Sequence, residues 1–186
     1  MQALLISLVA VAFAEVGDKT QLLALILAAR YRRPWPICAG ILVATLVNHA
    51  LAGEAGVLLA QLLSPDVLRW LLGLSFLSVA VWALFPDKIG AEDAKRTSHY
   101  GVFAATAIGF FLAEMGDRTQ VATAMLAAHY QPLWAVIAGT TLGMLAANVP
   151  VVFLGARFAH RLPLRATRLV AAALFAVLGV LILLRS

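Results

Sequence analysis

The stretch Glu15-Val16-Gly17-Asp18-Lys19-Thr20-Gln21 sets three charged residues inside an apolar run. A-L-L-I-S-L-V-A-V-A-F-A (3–14) precedes it and L-L-A-L-I-L-A-A (22–29) follows. Ninety-nine positions later the chain repeats the pattern as Glu114-Met115-Gly116-Asp117-Arg118-Thr119-Gln120, again between apolar runs. Runs of this length and apolarity read as membrane spans. A charge at the bilayer centre costs at least about 2.5–3.5 kcal/mol on insertion scales, so such residues face the bundle interior or water and mark an ion or proton path.

Composition supports a membrane setting. Of 186 residues, 63% are hydrophobic and 12% charged, and the mean hydropathy is +0.95. A soluble domain of this size needs more polar surface. The net charge of +5 comes without a basic stripe interleaved with aromatics, so nucleic acid is not an expected partner and the charge is assigned to membrane topology. Cys38 is the single cysteine, which excludes an intrachain disulfide and a Cys-rich metal site and reads as apolar filler. Ala12-Phe13-Ala14 imitates a signal-peptidase site. Residues 1–14 carry no Lys or Arg, however, and the apolar pattern continues past the motif, so a retained span is expected.

The apolar runs predict six transmembrane helices near 2–29, 36–62, 69–85, 101–128, 133–155 and 167–184. They are too long and too little alternating for β-barrel strands. A 28-residue helix is about 42 Å long, against a hydrocarbon core of about 30 Å, so the longest spans must tilt, bend or break. Gly17 and Gly116 are natural points for a break.

The match at offset 99 extends through Tyr31/Tyr130, Trp35/Trp134, Gly40/Gly139 and Gly56/Gly155, with His49 opposite Asn148. It predicts an all-α integral membrane protein built from two three-helix repeats, 1–85 and 101–186, joined by a linker at 86–100. Three spans per repeat is odd, so the second repeat enters from the opposite side. Inverted repeats of this kind place a transport site at their interface near the midplane. Loop charges agree. Arg30, Arg32, Arg33, Lys88, Lys95, Arg96, Arg157, Arg161, Arg165 and Arg168 fall on one side, and only Arg69 and Arg185 on the other. The basic side is the cytoplasmic one. The expectation is a multi-pass protein of the cell (inner) membrane, with both termini away from the cytoplasm and the 86–100 linker within it.

Read as helix, Glu15 shares a face with Asp18 and Lys19, and Glu114 with Asp117 and Arg118. Joining the repeats gathers four carboxylates, Glu15, Asp18, Glu114 and Asp117, with Thr20, Gln21, Thr119 and Gln120 beside them. Hard oxygens in this number suit Ca²⁺, Mn²⁺ or Mg²⁺, and suit Zn²⁺ or Cu⁺ poorly because no Cys or His pair belongs to the motif. Crowded carboxylates repel one another and take up protons when the cation leaves, which is the basis of an exchanger. Lys19 and Arg118 would pair with carboxylates in the empty site. Asn48, His49 and Asn148 are candidate pathway residues, or alternatively hydrogen-bond partners between helices. Glu54 is a further acid in an apolar span, a candidate proton relay or alternatively a residue near an interface. His99, His129 and His160 lie in or beside loops. Trp35 and Trp134 read as interfacial anchors.

Two copies of E-x-G-D-[K/R]-[T/S], one per three-helix half, resemble the GDT-one family of cation transporters, formerly uncharacterised protein family sixteen, which includes the human Golgi transmembrane protein one-six-five. The resemblance covers nearly the whole chain and every motif letter in both copies. It implies Mn²⁺ and Ca²⁺ transport in exchange for protons, and in bacterial members export of Mn²⁺ from the cytoplasm. It also implies Glu15, Asp18, Glu114 and Asp117 as the cation site, with Lys19, Thr20, Arg118 and Thr119 in support. The preference for Mn²⁺ over Ca²⁺ comes from the resemblance and not from the oxygen chemistry.

The expected function is therefore a secondary transporter of a divalent cation, with protons as counter-ion, no resident cofactor and no enzymatic activity. Rival readings are a passive channel with an acidic selectivity ring, an exporter of basic amino acids, and an intramembrane hydrolase using Asp18 and Asp117 as a dyad. Six short helices are few for a self-contained transporter, which leaves room for a homodimer.

Overall fold

The computed structural model describes residues 1–85, 101–154 and 164–184. Among these residues the chain is all helical, with eight helices and no strand: α1 (Gln2–Glu15), α2 (Lys19–Tyr31), α3 (Pro34–Leu62), α4 (Pro65–Ala83), α5 (Val102–Glu114), α6 (Arg118–His129), α7 (Leu133–Leu154) and α8 (Leu164–Leu184). The 86–100 linker and the charges Lys88, Lys95, Arg96, Arg157, Arg161 and Arg185 lie outside the described residues, as do His99 and His160.

The first and fourth expected spans are each broken into two helices at the motif. The backbone turns at Gly17 with φ 81° and at Gly116 with φ 73°, in the region where a side chain is strained. α3 runs unbroken instead. Its 29 residues extend about 43 Å, so it exceeds the hydrocarbon core by tilting or by emerging from it. Pro34 and Pro65 open α3 and α4 at first-turn positions, where a missing N–H costs nothing. By length and composition α3, α4 and α7 can each cross a membrane. α1, α5 and Arg168–Leu184 of α8 are shorter apolar helices.

Packing ties the two halves together. α1 lies on α7, α3 lies against α5, α6 and α7, and α4 pairs with α8. Along one contact Gly139 faces Leu4 and Ser7, and one turn on Gly143 faces Leu8, Val11 and Ala12, so α1 and α7 run parallel. Along the other, Gly40 faces Phe103 and Thr106 while Asn48 reaches Phe111, so α3 and α5 also run parallel. These are the same contacts with the halves exchanged, because Gly139, Phe103 and Thr106 stand 99 positions after Gly40, Leu4 and Ser7. A Cβ at Gly40 would sit 2.7 Å from Thr106 Cβ and 2.8 Å from the Phe103 carbonyl oxygen. Small residues let membrane helices approach this closely, since packing rather than water exclusion drives their association.

The apolar core has two parts. One gathers Phe76, Phe175, Leu72 and Leu126, with the Phe76 and Phe175 rings stacked at 6.2 Å. The other gathers Leu23, Leu27, Ile37, Ile41 and Phe110. Leu46, Val47, Leu51 and Leu58 of α3 point outward, and Trp35 and Trp134 stand exposed where α3 and α7 begin. Apolar side chains outside and the motif carboxylates inside reverse the soluble pattern, as a bilayer solvent requires.

Candidate metal site

The site grows from the two helix breaks. α1 and α5 end on Glu15 and Glu114, and α2 and α6 start at Lys19 and Arg118 with Asp18 and Asp117 as N-caps. Between the helices, the Glu15 carbonyl accepts the Asp18 N–H at 3.1 Å, and Glu114 accepts Asp117 at the same distance. The N–H of Gly17 donates to Gln21 Oε1 at 2.9 Å, and that of Gly116 to Gln120 Oε1 at 2.8 Å. Each Gln thus satisfies a donor freed by unwinding, a requirement in a medium without water. The expectation that Glu15 shares a helix face with Asp18 and Lys19, and Glu114 with Asp117 and Arg118, is corrected here. The helix ends at the glutamate, so the following residues belong to a differently directed segment.

All four acids are buried. Thr20 Oγ1 donates to Glu15 Oε2 at 2.6 Å, and Thr119 Oγ1 to Glu114 Oε2 at 3.0 Å. The cations cross between the two motif copies rather than pairing along their own helix. Arg118 Nη2 bonds Asp18 Oδ1, and Lys19 Nζ lies 3.6 Å from Asp117 Oδ1. Glu15, Glu114 and Asp117 converge, each offering an oxygen within 4.8 Å of the others. Glu15 Oε1, Glu114 Oε1 and Asp117 Oδ2 have no hydrogen-bond partner among the described residues.

Buried carboxylate oxygens without donors are costly alone and well placed for a cation. Oxygens on opposite sides of a Ca²⁺ stand about 4.6–5.2 Å apart, given bonds of 2.3–2.6 Å. Three oxygens within 4.8 Å of one another lie about 2.8 Å or less from a common centre, so a small inward movement brings all three carboxylates onto one ion of that size. The donor set is all oxygen, which matches a hard divalent cation.

The family model described as "Divalent cation/proton antiporter GDT1" matches residues 3–91 and 102–186, nearly the whole chain in two segments. The chain belongs to this family of divalent cation/proton antiporters. A Vibrio cholerae protein named "Putative manganese exporter" is 54% identical over 180 residues, covering 96% of this chain and 89% of that protein. The GDT1-like protein sll0615 of Synechocystis is 29% identical, with 93% of this chain and 92% of that protein aligned. GDT1-like protein 3 of rice (Oryza sativa subsp. indica) is 28% identical, with 93% and 70% aligned. No solved structure matches the chain.

Besides the carboxylates the antiporter buries several other polar groups. Thr45, Asn48 and His49 share the buried stripe of α3 with Ala52 and Gly56. Asn48 Nδ2 donates to the Phe111 carbonyl at 3.1 Å, three residues before Glu114. Neither nitrogen of the buried His49 has a hydrogen-bond partner among the described residues. Asn148 Nδ2 turns back to Met144, bonding its carbonyl at 3.1 Å and its Sδ at 3.0 Å. Gln21 Nε2 donates to the Ala147 carbonyl at 3.0 Å and so ties α2 to α7.

Glu54 is not brought to this group. It follows Gly53 on α3 and points about 100° off the buried stripe, where it is exposed. The sequence did not single out Thr45 and Thr141, both buried with hydroxyls that have no partner among the described residues. Their signal was faint: Thr141 stands seven residues before Asn148, on the same helix face.

Proposed function

We propose that this antiporter exports Mn²⁺ from the cytoplasm in exchange for protons, using one site shared by its two repeats. The single observation that carries this reading is the convergence of Glu15 and Glu114, one from each repeat, with Asp117, each carboxylate keeping an oxygen without a partner among the described residues. Thr20 and Thr119 hold the glutamates, Gln21 and Gln120 hold the unwound backbone, and Lys19 and Arg118 set the charge. Mn²⁺ over Ca²⁺ follows the name of the Vibrio relative, since the oxygen set serves both ions.

Charge counting supports a stoichiometry. Four carboxylates against Lys19 and Arg118 leave two negative charges. One divalent cation or two protons neutralise them, so exchange of one for two keeps the buried site balanced in both loaded forms. A transporter needs this balance because net charge in the membrane interior is expensive.

The matched parallel pairs α1–α7 and α3–α5 support inverted three-helix repeats at 1–85 and 101–186, with the site at their interface. The cell-membrane location, with both termini away from the cytoplasm and 86–100 inside it, rests on the ten-to-two split of loop charges. A lipid bilayer covers the outward leucines, and a homodimer fits the small size of the bundle. Family membership supports a transporter rather than an enzyme and coupled exchange rather than a channel.

The test is reconstitution into liposomes loaded with a pH dye, adding Mn²⁺, Ca²⁺ and Mg²⁺ separately. Mn²⁺ should drive proton movement most strongly, and Glu15→Gln and Asp117→Asn should abolish it. Cation flux without proton movement would contradict exchange, and a Mg²⁺ or Ca²⁺ preference would contradict the Mn²⁺ assignment.

A further inference from the structure

Resting on that site, we propose that its third carboxylate alternates between two aspartates. Asp117 completes the cation site with Glu15 and Glu114 in the state described here, and Asp18 replaces it in the oppositely facing state.

The two motif copies are alike in sequence and in most contacts. Thr20 holds Glu15 as Thr119 holds Glu114, and Gln21 holds Gly17 as Gln120 holds Gly116. The copies part company at the aspartates. Asp117 joins the converging oxygens, whereas Asp18 is not among the three. Asp18 is instead bonded by Arg118, which is only 2% exposed. Lys19, the counterpart of Arg118, is 23% exposed and stands 3.6 Å from Asp117.

The chemistry of the two cations fits these positions. A guanidinium fork occupies a carboxylate directionally and loses little entropy in doing so. While Arg118 holds Asp18, its positive charge repels a metal from that carboxylate. Lys19 is a point charge on a flexible stem, and at 3.6 Å it can withdraw when a metal takes Asp117.

Inverted repeats supply the second state. In such transporters the site stays near the midplane while one repeat moves against the other. Interchanging the conformations of the two repeats generates the opposite facing state from the present one. Under that interchange Asp18 enters the converging set, Lys19 holds Asp117 as Arg118 now holds Asp18, and Arg118 loosens to the 3.6 Å separation that Lys19 keeps in the present state. Each state then has three ligating carboxylates and one held aspartate. The exchange gives each copy a use for both its aspartate and its cation. Because Arg118 holds Asp18 more firmly than Lys19 holds Asp117, the state described here is the favoured one before cation arrives.

The test compares Mn²⁺ binding by the purified full chain in detergent with proton-coupled Mn²⁺ flux in liposomes. Asp117→Asn should weaken binding at least about 10-fold, since even outer partners of a metal site cost 10–100-fold. Asp18→Asn should leave the binding constant within about 3-fold and still cut flux at least about 10-fold, because the second state lacks its ligand. Asp18→Asn leaves Arg118 without its carboxylate, so Asp18→Asn/Arg118→Gln, which removes both charges, is measured beside it and should behave alike. Equal loss of binding in the two aspartate variants would overturn the proposal by showing both aspartates on the ion at once. Full flux in Asp18→Asn/Arg118→Gln would overturn it by removing Asp18 from the cycle. Failure of the unsubstituted chain to bind Mn²⁺ would instead overturn the site itself.

Discussion

Replacing Arg118 by Met should destabilise the protein far more than replacing Lys19 by Met, although the two occupy equivalent motif positions. Arg118 is 2% exposed and bonds an aspartate that is fully buried. Removing one member of such a pair leaves a charge with no compensation and costs about 3–5 kcal/mol. Lys19 is 23% exposed and its nitrogen stands 3.6 Å from Asp117. Lys19 is the accessible member of that pair while Asp117 is 1% exposed, so the pair falls between the buried class and the exposed one, worth about 0.2–1 kcal/mol. The predicted gap is therefore on the order of 2 kcal/mol. Reversible unfolding in mixed detergent micelles, followed by tryptophan fluorescence, measures it. Asp18→Asn/Arg118→Met should recover most of the loss, because no buried charge is then stranded. Equal costs for Arg118→Met and Lys19→Met would refute the assignment of a tight pair to one repeat and a loose pair to the other.

Three further outcomes follow from the geometry. Gly56→Ala sets a Cβ against the backbone carbonyl of Ala124 and must separate α3 from α6, whereas Gly53→Ala is crowded by the Leu133 Cδ1 end at 2.8 Å, with Ile137 and Ala127 at ordinary contact distance. The first should cost about 1–3 kcal/mol in the same unfolding assay and the second less than half of that. Gly116→Ala meets no atom within 4 Å but sits at φ +73°, so it should cost about 1–2 kcal/mol from backbone strain alone. Cation uptake that releases protons must weaken as pH falls; for two protons per Mn²⁺ the apparent affinity should drop up to about a hundredfold per pH unit on the acid side, read by Mn²⁺ titration at stepped pH.

The doubled motif made the centre of the molecule legible from sequence. Two Glu–Gly–Asp stretches in apolar surroundings admit few physical explanations, and Gly17 and Gly116 marked the places where the helices break. What followed the break was not legible. Helical spacing put Glu15 beside Asp18 and Lys19, but a helix that stops at Glu15 cancels that spacing, and only tertiary packing decides that Arg118 meets Asp18 and Lys19 meets Asp117. Glu54 misled because an acid in an apolar span suggests a path, whereas its side depends on the α3 stripe of Asn48, His49, Ala52 and Gly53, one residue out of step. Thr45 and Thr141 were hidden because threonine is common in membrane helices, where its hydroxyl usually bonds the preceding turn, as Thr123 does.

The most direct test is whether a proton gradient alone moves Mn²⁺ uphill. Liposomes containing the protein and acidic inside, with equal Mn²⁺ on both sides, should accumulate Mn²⁺ above the outside concentration. A protonophore should abolish the accumulation, and so should Glu15→Gln or Glu114→Gln. Mn²⁺ that remains equal on both sides whatever the pH difference, while still crossing the membrane, would contradict exchange at a shared carboxylate site.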